Sequence, residues 1–79
     1  MSILTDVINS GNTWAADRAQ FALETEAGIR AGTLSIDEGR EILSDLIETA
    51  QLEEDATNAE IRATLVFGLV KLYNTFPIW

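Results

Sequence analysis

The sequence contains no cysteine and no histidine, and it has one proline, Pro77. The lack of cysteine excludes disulfides and thiolate metal sites, and the lack of histidine removes the commonest general base and metal ligand. No uninterrupted apolar run approaches the roughly 18 residues that a membrane-spanning helix needs. We therefore expect no metal, no cofactor and no membrane insertion. Because the N-terminus shows no signal peptide pattern, a cytoplasmic location is the expectation.

Positive charge is also scarce. Five Lys and Arg residues stand against 13 Asp and Glu residues, which gives a net charge of −8. All the acidic residues lie between Asp6 and Glu60, whereas residues 61–79 hold two bases and no acid. Because an acidic surface repels phosphate groups, we expect no binding to nucleic acid.

The many carboxylates do not form a pattern that predicts catalysis. Pairs such as Asp37 with Glu41 and Asp45 with Glu48 fall on the polar side of a predicted helix. Acid–base chemistry by two carboxylates requires them to share a cleft. The sequence also has no phosphate-binding loop, dinucleotide fingerprint or nucleophile elbow. We predict no enzymatic activity, no catalytic residue and no small-molecule substrate.

The stretch GTLSIDE, residues 32–38, looks like the second half of a calcium-binding EF-hand loop. With Gly32 at loop position 6, Glu38 falls at position 12, where the loop requires glutamate. The residues at positions 1, 3 and 5 carry no side-chain oxygen, and they are Ala27, Ile29 and Ala31. Calcium binding at this stretch is therefore not expected.

The same stretch is better interpreted as the boundary between two helices. Ser35 and Glu38 have the spacing of a capping box, in which each side chain accepts a hydrogen bond from the other residue's amide. Gly32 suits the left-handed conformation that ends many helices, and Arg30 places a cation near a helix C-terminus. The stretch thus predicts a helix end, a short turn and a helix start.

Hydrophobic periodicity predicts an all-α fold with a single helical domain over residues 1–79. A helical hairpin at about 35–52 and 58–74 packs with an N-terminal helix at about 13–31, giving a small helical bundle. A short helix is possible at 2–9.

The junction before the N-terminal helix has two interpretations. In the first, Gly11 ends a short helix and Thr13 caps a new one. In the second, Gly11 only kinks one long helix.

The last helix is apolar over more of its circumference than one core contact requires. A surface helix needs an apolar arc of only about 100°. Two adjoining stripes exceed this arc, and they consist of Ile61, Leu65, Leu69 and Leu72, and of Ala59, Ala63, Val66, Val70 and Tyr73. Phe67 adds a large apolar side chain to the remaining polar side. The excess predicts a second partner for this helix.

Two further features bear on association. Residues 75–79 form an apolar C-terminal tail whose Phe76, Ile78 and Trp79 either complete the chain's own core or dock on a partner. We favour the partner. Arg62 falls inside the apolar arc, where it either pairs with a carboxylate such as Asp45 or Glu48, or packs its stem while its head reaches water. We favour the packed stem.

The middle half of the chain resembles small helical proteins encoded by tailed bacteriophages. The shared features are a glycine turn, a capped acidic helix, a leucine-aspartate-leucine-like centre in that helix, an acidic turn and an apolar final helix. Here these features are Gly32, Ser35–Glu38, Leu43-Ser44-Asp45-Leu46, Asp55-Ala56 and Ile61–Leu65. The resemblance implies a virion or assembly protein, made in the host cytoplasm and then built into the particle.

Together these features predict a non-enzymatic structural protein that forms a homo-oligomer or packs with other structural proteins. The alternative is a small acidic regulator that binds and inhibits a partner, as antitoxins and anti-host factors do. The predicted contact residues are mostly large and apolar, and they are Trp14, Phe21, Arg62, Val66, Phe67, Val70, Tyr73, Phe76, Ile78 and Trp79.

Overall fold

A computed structural model describes residues 3–52 and 59–76 of the chain. These residues form four helices and no strand. The helices are α1 (Ile3–Ile8), α2 (Thr13–Ala31), α3 (Ile36–Leu52) and α4 (Ala59–Thr75). The predicted all-α bundle is confirmed, with helix limits within about two residues of those expected. None of these helices is both long and apolar enough to cross a membrane.

The helical structure is interrupted between α1 and α2. Gly11 has a φ of 85°, a left-handed value that residues with a Cβ rarely adopt. Asn12 has extended backbone angles, and its side-chain oxygen accepts a hydrogen bond from the Ala15 amide at 3.1 Å. Of the two interpretations, the break is confirmed. The cap is Asn12, one residue before the expected Thr13, because Asn12 is the last residue with non-helical angles.

The boundary between α2 and α3 is a glycine cap followed by a capping box. Gly32 has a φ of 81°, and the Leu34 and Thr33 amides donate to the Gly28 carbonyl. The Glu38 amide donates to Ser35 Oγ at 3.1 Å, and the Ser35 amide donates to Glu38 Oε1 at 3.3 Å. Both reciprocal bonds of the predicted capping box are present.

Replacing Ser35 with alanine is expected to destabilise the protein by about 1 kcal/mol, because the Glu38 amide loses its acceptor. Ser44 provides a matched control, since it lies exposed within α3. Ser44→Ala should be neutral or slightly stabilising, because alanine is the better helix former. Urea unfolding of both variants gives the two differences. Equal stability changes in the two variants would show that Ser35 has no capping role.

The helices pack around a small apolar core. The fully buried side chains of α2 are alanines, whereas α3 and α4 supply leucines; the core comprises Leu4, Val7, Ala15, Ala19, Ala22, Leu43, Ala50, Leu65, Leu69, Leu72 and Phe76. Small residues on α2 allow its neighbours to approach closely. Gly68 does the same on α4, since a Cβ there would lie 2.9 Å from Leu4 Cδ2.

The C-terminal end of α4 is held by the start of α3. Arg40 Nη1 donates hydrogen bonds to the carbonyl oxygens of Tyr73, at 2.8 Å, and Phe76. The Arg40 guanidinium also lies 3.8 Å from the centre of the Tyr73 ring. This contact joins the beginning of α3 to the end of α4, so the hairpin is antiparallel as predicted.

Phe76 belongs to the chain's own core rather than to a free tail. It is 9% exposed and packs in the main apolar cluster. The expectation that it is available to a partner is therefore wrong, because its side chain packs among the buried residues of the bundle. The other tail residues singled out, Ile78 and Trp79, lie outside the described residues.

Candidate protein interface on α4

The clearest candidate site is the more exposed apolar side of α4, beside its buried leucine stripe. We call Ala59, Ala63, Val66, Phe67 and Val70 the outer face of α4. Ala59 and Ala63 are exposed, Val66 is half-buried, and Phe67 and Val70 are 57% and 37% exposed. The leucine stripe of α4 is buried instead. The second stripe is thus the more accessible of the two.

The outer face of α4 lines a shallow, open groove of about 530 Å³. Gln51 at the end of α3 and Arg62 form its remaining walls. Because five of its seven lining residues are apolar, the groove can bury hydrocarbon but offers little for fixing a polar substrate. Its shape suits the side chains of another protein surface.

Charged residues lie at the margins of this face. Arg62 is half-buried along the groove. Both interpretations of Arg62, the favoured packed stem and the pairing with Asp45 or Glu48, stay predictions. Lys71 is exposed, with Nζ 5.6 Å from the centre of the Phe67 ring.

α4 differs in charge from the remainder of the molecule. It carries one acid and two bases, against twelve acids and three bases in the rest of the chain. An approaching acidic protein surface, including a second copy of this one, is therefore repelled least at α4.

The structure does not bring all the predicted contact residues together. Arg62, Val66, Phe67 and Val70 line the α4 groove. Phe21 is 51% exposed but lies in shallow depressions between α2 and α3, next to Leu46 and Thr49. It does not line the α4 groove.

Two other predicted contact residues are engaged within the chain. Trp14 is half-buried against the core, with the Arg18 guanidinium 4.7 Å from its ring centre. Tyr73 is half-buried too, and its ring stacks on Arg40. Their aromatic rings contribute to holding the bundle together, which leaves the outer face of α4 as the main accessible part of the predicted set.

Sequence reasoning did not single out Arg40, which joins α3 to the end of α4. No local pattern marks it, because its acceptors lie 33 and 36 positions away. The exposure of Leu52, at 71%, was also not anticipated. In the described part of the chain, no group of three or more acidic side chains is arranged to hold a metal ion.

Comparison with known proteins gives no match to a family model, to a curated protein or to a solved structure. Inference about function therefore depends on the surface itself.

Proposed function

We propose that the protein is a non-enzymatic assembly component that associates through the outer face of α4. The observation that supports this proposal best is the run of accessible apolar side chains from Ala59 to Val70 on one side of a single helix. The groove next to that run is apolar, shallow and open, which suits a protein surface better than a small polar ligand.

The energetics favour association over a monomer with this face in water. Complete burial of a Val or Phe side chain contributes about 1.5–3 kcal/mol. Phe67 and Val70 are 57% and 37% exposed, so covering each of them contributes about half of the free energy of complete burial. With the neighbouring alanines and Val66 the gain is a few kcal/mol on each partner, before the cost of association. A weak or moderate contact is expected rather than an obligate one.

The resemblance of residues in the middle half of the chain to small bacteriophage proteins supports a phage particle as the assembly. On this proposal the protein acts in the host cytoplasm and then in the virion. The support is a pattern of capped helices and turns, so the particle is the more specific part of the proposal, and the interface on α4 does not depend on it.

The acidic surface favours a second candidate function, a regulator that binds a basic protein. α3 carries five acidic side chains, all of them exposed, namely Asp37, Glu38, Glu41, Asp45 and Glu48. A regulator of this kind would be monomeric alone and would bind its target through α3. Binding would weaken steeply with added salt, because it depends on exposed charges.

The double variant Phe67→Ser/Val70→Ser is expected to abolish association, because it removes the two largest accessible side chains of the α4 outer face. Light scattering over a range of protein concentrations measures the average mass. The unmodified chain should rise above the monomer mass of 8.7 kDa with concentration, and the variant should stay at it.

A matched control removes the same amount of accessible apolar surface elsewhere. Phe21 and Ile36 are 51% and 41% exposed, so Phe21→Ser/Ile36→Ser should associate as the unmodified chain does. Circular dichroism checks that all three proteins are folded. If only the control variant becomes monomeric, the interface lies on α2 and α3, and the proposal for α4 is wrong.

A further inference from the structure

We propose that the occupant of the α4 outer face is the same face of a second copy, with the two α4 helices antiparallel. This inference rests on the proposed function and specifies its partner and geometry. It derives from two properties of α4, namely the spacing of its accessible residues and the positions of its charged ones.

The first property is the spacing. Ala59, Ala63, Val66 and Val70 recur at intervals of four, three and four residues. This alternation of three and four is the spacing by which one helix presents a continuous seam to another helix. Small residues at the first two positions and valines at the last two provide knobs and holes of different size. An antiparallel pair places the valines of one copy against the alanines of the other.

The second property is charge complementarity. Glu60 and Lys71 lie at equal distances along α4 on either side of the peptide between Leu65 and Val66. They are about three turns apart and therefore lie on the same side of the helix, next to Phe67. Lys71 Nζ lies 5.6 Å from the centre of the Phe67 ring, so Lys71 borders the face at Phe67, while it also lines a second groove that includes Glu26.

A twofold axis level with Leu65 brings these charges together across the pair and also sets the valines of each copy opposite the alanines of the other to within about one residue. In an antiparallel pair related by a twofold axis, the side of α4 that carries Glu60 and Lys71 lies next to the same side of the partner's α4. Glu60 of each copy then lies beside Lys71 of its partner, so that two attractive pairs form. A parallel pair would keep the two residues about 16 Å apart along the axis. The charge positions thus favour the antiparallel arrangement.

The net charge of the two copies points to the same surface. Two molecules with a net charge of −8 each repel one another. α4 is the helix with more bases than acids, so a contact between two α4 helices keeps the acidic α3 helices away from the interface. The contact involves one helix of about 25 Å from each copy. The surface that a single pair of helices of this length buries is smaller than that of a standard stable interface, so a dissociation constant in the micromolar range or weaker is expected.

Charge reversal tests this arrangement. Glu60→Lys changes both pairs from attractive to repulsive, and Lys71→Glu does the same. Each variant alone should dimerise roughly 10- to 30-fold more weakly than the unmodified chain at low salt. An equimolar mixture of the two variants should regain the affinity.

In the mixed pair, the two lysines of the Glu60→Lys copy face the two glutamates of the Lys71→Glu copy, so both contacts are attractive again. Sedimentation velocity at low salt measures all three samples.

Glu24→Lys is the matched control for Glu60→Lys, since it makes the same change of net charge at an exposed position on α2. It should dimerise at least as tightly as the unmodified chain. Recovery in the mixture supports the inference. If the mixture recovers nothing while Phe67→Ser/Val70→Ser still abolishes association, the antiparallel pair is wrong and the proposed function stands. If the unmodified chain is monomeric throughout, both are wrong.

Discussion

Replacing Leu43 with alanine is expected to lower the free energy of unfolding by about 3 kcal/mol. Leu43 is fully buried on α3, at the centre of the apolar core. Loss of its side chain removes hydrocarbon from the core and leaves a cavity that the surrounding helices fill only in part. A chain of this length has a total stability of only about 4–12 kcal/mol, so the loss is a large fraction of it.

Leu52→Ala is the matched control, because it makes the same change on the same helix at a side chain that is 71% exposed. Its effect should be below about 0.5 kcal/mol. In thermal unfolding followed by circular dichroism, Leu43→Ala should melt about 12–24 °C below the unmodified chain. Similar melting temperatures for the two variants would contradict the placement of Leu43 in the core.

Replacing Arg40 with methionine is expected to destabilise the protein by about 2 kcal/mol. The Arg40 guanidinium donates to the carbonyl oxygens of Tyr73 and Phe76 and stacks on the Tyr73 ring. These carbonyls lie at the C-terminal end of α4, where backbone acceptors lack partners within the helix and a cation is favoured. Methionine keeps much of the side chain's packing but removes every donor.

Arg30→Met provides the comparison. Arg30 forms an exposed ion pair with Glu26 at 3.0 Å, and its guanidinium lies 5.2 Å from the centre of the Phe76 ring. Exposed contacts of this kind contribute about 1 kcal/mol or less. Urea unfolding should therefore rank Arg40→Met clearly below Arg30→Met in stability. Arg40→Lys should fall between Arg40→Met and the unmodified chain, since it keeps the charge without the planar donors. The reverse ranking of the two methionine variants would contradict a role for Arg40 in closing α4.

Local signals made much of the fold predictable. The boundary of α3 follows from Gly32, Ser35 and Glu38, which determine a turn and a cap within a few residues of one another. At the start of α2 the signals were less decisive, because Asn12 and Thr13 are both good caps. Asn12 is the cap because its own backbone is extended and its side chain accepts a hydrogen bond from the Ala15 amide, and backbone angles cannot be read from side-chain type.

Contacts between distant parts of the chain were not predictable in the same way. Phe76 was expected to be available to a partner, because residues 75–79 looked like a separate apolar tail. It is buried in the core cluster, and Arg40, far away in sequence, donates a hydrogen bond to its carbonyl oxygen. The periodicity of α4 revealed an excess of apolar surface but not which of its two stripes faces the core. Packing decides this, since the leucine stripe fills the core and Gly68 admits Leu4 of α1.

Self-association of the molecule through the outer face of α4 is the property on which the proposed function depends. A dilution series of amide NMR spectra of the unmodified chain tests it most directly, because the spectra report the site of contact residue by residue. We expect concentration-dependent shifts that cluster at Ala63, Val66, Phe67 and Val70, with none near Phe21. Shifts confined to α2 and α3, or spectra that do not change between about 10 μM and 1 mM, where contacts of this size associate, would contradict it.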